Sequence, residues 1–214
     1  ALEPQPRVLV AGSAEVFGDT GGRPISEELP FRPATPYGAG KAAASHLTAA
    51  YRASFGLFAC VAHFFNHESP RRPERFVTRK IVRAACRIAR GLESELTLGD
   101  TSVVRDWGWA PEYMEAARRM LLAPEASDFV IATGESHSLA EFVGRVFESV
   151  KLEPARYVKR SEALARPGEI PAMRADPSRA VERLGWRATT GFDELAKRLV
   201  EAELAALDAE SSPA

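Results

Sequence analysis

Cysteine is scarce in this chain of 214 residues: Cys60 lies in an apolar run and Cys86 in a helical pattern, with neither Cys-x-x-Cys nor metal-ligand spacing around them. That excludes a disulfide scaffold and a thiolate metal centre; no metal is expected, and both residues read as buried thiols in a reducing compartment. Net charge is scarce too. At −1 overall, no global field draws the chain to nucleic acid or to an anionic membrane, so any phosphate binding has to come from a local cluster. Long apolar runs are also missing: the strongest, residues 57–65, is far too short to span a bilayer and is interrupted by His63. The opening Ala1-Leu2-Glu3-Pro4 lacks a signal peptide's basic start and apolar middle, which makes the cytoplasm the expected location. No internal repeat appears, and no Gly-x-Gly-x-x-Gly or Gly-x-x-Gly-x-x-Gly run occurs. Gly18 and Gly21 begin such a spacing, but Pro24 ends it.

What is present is the composition of an ordinary globular protein, 45% hydrophobic and 27% charged, in a chain long enough for one core and a smaller lobe. Residues 7–12 read as a buried parallel strand that delivers Ser13 and Glu15 at its carboxyl end, where open α/β sheets place their ligands. A glycine- and proline-rich loop over 18–36 leads to an alanine-rich helix over 37–55, which Gly56 stops. The apolar run 57–65 is the next strand, so strand, helix and strand form one parallel crossover unit. The helix predicted over 74–91 has an apolar face with Val77, Ile81, Ala84, Ala85 and Ile88. Its basic stripe of Arg75, Arg79, Arg83, Arg87 and Arg90 reads mostly as a solvated face. Lys80 stands at the edge of the apolar face, where a charge needs a partner. Further on, residues 95–99 and 128–132 read as strands, 112–122 and 193–207 as helices, and Ser138 with Glu141 as a capping box. Arg105-Asp106-Trp107-Gly108-Trp109 admits two readings: a packed corner in which Asp106 satisfies Arg105, or a guanidinium held rigid by tryptophans to clamp phosphate.

Tyr37 and Lys41 are four apart where the first helix begins, so phenol and ammonium share a helical face. An ammonium beside a phenol favours the phenolate, which lets a tyrosine act as a base. Ser13 is placed to hydrogen-bond the same substrate oxygen, and Glu15 to act as a second, independent base. Alone, Tyr-x-x-x-Lys is a weak signal, because a surface tyrosine one turn from a lysine is common.

Four longer runs carry more information: residues 65–72 (Phe-Asn-His-Glu-Ser-Pro-Arg-Arg), residues 76–81 (Phe-Val-Thr-Arg-Lys-Ile), residues 105–108 (Arg-Asp-Trp-Gly) and residues 128–134 (Asp-Phe-Val-Ile-Ala-Thr-Gly). With Ser13, Glu15, Tyr37 and Lys41 they make the chain resemble the extended short-chain dehydrogenase/reductase family, and within it the GDP-mannose 4,6-dehydratases. The resemblance covers nearly the whole chain. It implies an α/β fold: a partial Rossmann-like, doubly wound parallel sheet with a smaller C-terminal α/β lobe. Residues 1–65 would belong to the NADP-binding domain and 66–214 mostly to a nucleotide-sugar lobe, with about 95–135 returning to the Rossmann core.

The same resemblance implies roles. Tyr37 takes the proton from the C4 hydroxyl of GDP-mannose as hydride leaves C4 for NADP, while Lys41 stabilises the phenolate and holds the nicotinamide ribose. Ser13 hydrogen-bonds the C4 oxygen. Glu15 removes the C5 proton and assists loss of the C6 hydroxyl as water; the hydride then returns to C6. His67 and Arg72 are implied as further NADP contacts. Asn66, Lys80, Arg105, Arg166 and Glu169 are implied as GDP-sugar contacts, three cations facing a diphosphate. Assembly as a homodimer or homotetramer is implied as well, with no nucleic-acid or membrane partner.

Two departures stand out. Serine takes position 13 where threonine is commoner, and the dinucleotide-binding glycine run is absent. The chain is therefore expected to correspond to the C-terminal part of such an enzyme and to turn over little by itself. A reductase or 4-epimerase of the same superfamily, which needs no base at C5, and a nucleotide-sugar-binding fragment without catalysis are the alternatives.

Overall fold

A computed structural model describes residues 6–164 and 168–211. Strand β1 (Val8–Ala11) runs into a short 3-10 turn (Ala14–Phe17), the long loop follows, and α1 (Pro36–Phe55) leads to β2 (Ala59–Phe64) and, after one residue, β3 (Asn66–Glu68). Next come α2 (Val77–Ala89), β4 (Leu96–Leu98), β5 (Val104–Arg105), β6 (Trp107–Trp109), α3 (Ala110–Leu122) and β7 (Phe129–Ile131). The order closes with β8 (His137–Ser138), α4 (Leu139–Ser149), β9 (Val158–Arg160), α5 (Ser178–Leu184) and α6 (Phe192–Ser211).

The crossover unit read from the sequence is present. β1 pairs in parallel with β2, Val8 opposite Ala59 through Ala11 opposite Ala62, and β7 pairs in parallel on the other side of β2. β2 is central and every residue of it is buried, as the unbroken apolar run requires. The helix between them has clear local causes. Thr35 caps it by accepting from the Gly38 N–H, Pro36 occupies the first turn, and Gly56 ends it in the left-handed region at φ 64°. Arg52, near the end of α1, fixes the helix to the sheet with two 2.8 Å bonds to Asp128 and one of 2.6 Å to the Ala59 carbonyl. Asp128 also accepts from the Val61 N–H at 2.8 Å. Burial pushes the Asp128 carboxyl upward, but the bonds from Arg52 and Val61 outweigh it and hold the group below its ordinary range.

Two apolar clusters sandwich this sheet. On one side Cys60, Ala62 and Phe64 pack with Tyr113, Ala116 and Met120 of α3 and with Trp186; on the other, Val130 and Phe65 pack with Val16, Phe17 and Ile25. A third cluster, built from α2, α4, α6, β4 and Trp107, forms the body of the C-terminal part. Between the clusters runs a ribbon that the sequence pattern did not reveal: β3 and β6 pair in parallel, Asn66 opposite Trp107 through Glu68 opposite Trp109. Within residues 95–135, α3 and β7 pack on the main sheet, whereas β4 pairs with β9.

The basic stripe of α2 is a solvated face laced with ion pairs, except at Arg79. Arg79 pairs with the buried Glu203 of α6, Arg83 with Glu74, Arg87 with Glu93 at 2.6 Å and Arg90 with Asp208 at 2.6 Å. Arg75 lies over the Phe76 ring. Alternation of charge along one helix shows which side is polar; it says nothing about a carboxylate arriving from a distant helix. The outer edge of β7 is closed by a side chain: buried Glu27 accepts from the Val130 N–H at 2.6 Å. Cys60 and Cys86 are free and buried, and burial raises their thiols to about 11 and about 12.

Candidate functional site

The residues singled out in the sequence meet at the carboxyl ends of β1 and β2. Ser13 leaves the end of β1 and its Oγ accepts from the Glu15 N–H at 3.2 Å, which starts the 3-10 turn and leaves the hydroxyl proton free for another acceptor. Glu15, on that turn, is half-buried. Its Oε2 lies 3.0 Å from Thr35 Oγ1. Lys41, on the second turn of α1, donates from Nζ to the Ala11 carbonyl at 2.8 Å, and the same ammonium lies 5.8 Å from the centroid of the Tyr37 ring. The Tyr37 side chain is open to solvent, with the residue 55% exposed. Gly38 explains how α1 comes this near: a Cβ there would stand 2.8 Å from the Glu15 carbonyl oxygen. Ser13, Glu15, Tyr37 and Lys41 are thus drawn into one group by the meeting of a strand end with a helix start.

Asn66 and His67 leave the sheet at the same edge, one strand over, since Gly12 N–H bonds the Ala62 carbonyl at 2.8 Å. His67 donates from Nδ1 to the Phe65 carbonyl at 2.8 Å and stacks on Tyr113 at 5.3 Å. Burial lowers its imidazole below the ordinary range, so the ring is neutral and keeps Nε2 as an acceptor. Arg72 lies across the Phe76 ring at 3.9 Å, with Nε 3.3 Å from the buried Glu68 carboxylate but without a hydrogen-bond partner. Glu68 Oε2 accepts a hydrogen bond from Thr78 Oγ1 at 2.7 Å.

A second group lies along the long loop. Arg105 pairs with Glu169 and also donates to the Val104 carbonyl at 2.8 Å. The segment carrying Glu169 passes the loop just before Thr35, because a Cβ on Gly168 would stand 3.8 Å from the Ala34 carbonyl oxygen. Lys80 finds the partner its position demanded in the Thr97 carbonyl at 2.6 Å. Arg166 lies outside the described residues.

One reading of the Arg105-Asp106-Trp107 run is corrected: Asp106 does not satisfy Arg105. It is completely buried, and its carboxylate accepts from Thr133 N–H, Thr133 Oγ1 and Gly134 N–H at 3.0, 2.9 and 2.8 Å. Burial nonetheless pushes that carboxyl upward. The tryptophans serve packing: Trp107 lies against Phe142 and Phe192, and Trp109 lies beneath Arg198. Thr35 is the residue that sequence reasoning passed over as part of this site. Its signal was present, since a threonine directly before proline at a helix start is an N-cap signature. Among the described residues no group of three or more His, Cys, Asp or Glu is placed to hold a metal, and no helix is long and apolar enough to cross a membrane.

Comparison with known proteins gives a consistent picture. Residues 1–199 match the family described as GDP-mannose 4,6 dehydratase. A curated relative, GDP-mannose 4,6 dehydratase 2 of Arabidopsis thaliana, is 46% identical over 91% of this chain and 52% of its own length. The chain spans about half the length of this curated relative and of a second from the same plant. Among solved structures, that of RMD from Pseudomonas aeruginosa complexed with NADPH superposes with a TM-score of 0.85 at 24% identity, covering 92% of this chain and 66% of that one. A dTDP-glucose 4,6-dehydratase from Bacillus anthracis in complex with NAD gives 0.84 at 18% identity, covering 94% and 63%. These two likenesses establish the fold.

Proposed function

This chain belongs to the GDP-mannose 4,6 dehydratase family, and from that premise we propose that the protein it forms converts GDP-mannose to GDP-4-keto-6-deoxymannose and water. The observation that carries this reading is the contact of Lys41 with Ala11 at 2.8 Å, which seats the Tyr37 helix against the strand end bearing Ser13 and Glu15. A phenol and a carboxylate then serve one sugar ring as separate bases. Tyr37 takes the proton of the C4 hydroxyl, and the Lys41 ammonium stabilises the phenolate that does so. Ser13 donates its uncommitted proton to the C4 oxygen. Oxidation at C4 acidifies C5; Glu15 removes that proton and delivers it to the C6 hydroxyl, which departs as water.

A nicotinamide dinucleotide fits beside these groups. Tyr37 and Lys41 border the carboxyl end of the parallel sheet, and His67, its Nδ1 bonded to the Phe65 carbonyl, follows the next strand. When bound, the dinucleotide would supply the acceptor for hydride from C4 and the donor of that hydride to C6, while the proton that Tyr37 took from the C4 hydroxyl balances the one that C5 regains. NADP is the form proposed here; solved structures of this fold hold NADPH and NAD alike, and Arg72, whose Nε is buried against Glu68, is proposed to reach the cofactor with its terminal guanidinium nitrogens. Asn66, Lys80, Arg105, Arg166 and Glu169 are proposed to hold the nucleotide sugar. Arg105 and Glu169, already paired, present a donor fork and an acceptor together.

The test is incubation with GDP-mannose and NADP, with mass spectrometry following loss of water and a spectrophotometer following the transient reduced nicotinamide. Glu15→Gln is expected to abolish water loss and to leave C4 oxidation measurable. Undiminished 4-keto-6-deoxy product from that variant overturns the assignment in favour of an enzyme without a C5 base, as a reductase or 4-epimerase would be.

A further inference from the structure

The helix cap at the start of α1 does more than close a helix. Thr35 Oγ1 accepts from the Gly38 N–H at 3.0 Å and lies 3.0 Å from Glu15 Oε2. A backbone N–H can only donate, and an ionised carboxylate can only accept. The direction of both bonds is therefore fixed: the threonine oxygen receives the amide proton, and its single hydroxyl proton goes to Glu15. That ties up Oε2 and leaves Oε1 as the carboxylate oxygen without a described partner.

We infer that Thr35 is a positioning residue for Glu15, holding one carboxylate oxygen so that the other faces C5, and that the cap gauges the placement of Glu15 relative to Tyr37. The inference rests on the dehydratase reading given above. Two features of the fold support it beyond the bond itself. Thr35 and Tyr37 are separated only by Pro36, whose ring restricts the backbone between them. Gly38 also lets the first turn of α1 approach the Glu15 backbone more closely than any side chain would allow, since a Cβ would meet the Glu15 carbonyl oxygen at 2.8 Å. The Glu15 backbone and side chain are thus both referenced to the same helical turn that carries Tyr37.

The consequence is a separation of steps. Removing the Thr35 donor frees the Glu15 carboxylate to rotate without moving Tyr37 or Lys41, so C5 deprotonation should suffer and C4 oxidation should not. Capping must be kept apart from positioning, and glycine does so: it ranks with threonine as an N-cap but has no proton to give Glu15 and brings no charge beside it. In the protein shown to dehydrate GDP-mannose, Thr35→Gly is expected to slow C5–H exchange with D2O and water loss by about 10- to 100-fold, the scale of one hydrogen bond to a charged group. C4 oxidation, read as reduced nicotinamide in a single turnover, should stay within about twofold. Thr35→Ser, which keeps both donor and acceptor, should restore C5 exchange. Equal loss of both half-reactions in Thr35→Gly, or undiminished C5 exchange in it, overturns the inference. A wild-type protein that oxidises C4 without releasing water instead defeats the dehydratase reading, and the two failures are distinguished by the wild-type trace alone.

Discussion

His63 gives a prediction that depends on one buried ring. It lies on β2 with only 3% of its surface exposed, packed edge-on against Phe17 at 5.3 Å and Phe31 at 5.4 Å, and its Nδ1 has no hydrogen-bond partner. Burial lowers its imidazole from 6.5 to about 4, despite a smaller upward pull from Asp128. Because the folded value lies below the unfolded one, the unfolded chain binds the extra proton over that interval. Stability is therefore fully present above about 6.5 and falls as pH drops toward 4. At about pH 5 the difference amounts to about 2 kcal/mol, approaching about 3 kcal/mol below the folded value. His63→Leu removes the titrating group and the unpaired nitrogen together. Urea unfolding of both proteins across this range, at fixed ionic strength, should show the variant's midpoint less sensitive to pH, the two curves diverging below about 6.5. Every other carboxyl and histidine is common to both, so the difference curve isolates this ring. Parallel curves would refute the reasoning, because they would mean that His63 finds a proton partner in the folded state.

Three further outcomes follow from the packing. Arg52→Met leaves the Asp128 carboxylate partly buried without its guanidinium and should cost about 2 kcal/mol in chemical denaturation; an unchanged midpoint would show that α1 is held by its apolar face alone. Gly108→Ala would place a Cβ 2.3 Å from the Tyr113 ring, and the forced shift should destabilise the protein by about 1–3 kcal/mol and change the fluorescence of the flanking tryptophans. In the native protein at about pH 8, neither Cys60 nor Cys86 should react with a thiol reagent, whereas both should after denaturation; rapid labelling of native Cys60 would mean that the sheet opens.

Much of the main sheet was readable because its causes are local. Thr35-Pro36 and Gly56 bracket α1 within its own sequence, the run ending at Phe64 is apolar because β2 is buried on both faces, and Ser138 with Glu141 forms the capping box its spacing announced. The pairing of Tyr37 with Lys41 and the delivery of Ser13 and Glu15 by a strand were likewise visible. What escaped depends on residues far apart in the chain. The ribbon of Asn66-His67-Glu68 with Trp107-Gly108-Trp109 has strands too short to show a period, and its register is set by neighbours rather than pattern. Arg105 reaches Glu169 across 64 positions, which no local rule anticipates. One of the two readings of the Arg105-Asp106-Trp107 run pairs Asp106 with Arg105 because they are adjacent, yet adjacent residues of an extended backbone point to opposite sides. The Asp106 carboxylate turns instead to the loop after β7.

Glu27 has a consequence for assembly. A β-sheet grows by offering unpaired N–H and C=O groups to a new strand. At the β7 edge the outward Val130 N–H is already bonded to the Glu27 carboxylate, so an incoming backbone would have to displace an acceptor that is itself buried. β1, at the opposite edge, pairs on one side only among the named strands. An added strand would therefore meet a donor already bonded at the β7 edge, whereas at β1 it would meet backbone groups that no named strand pairs.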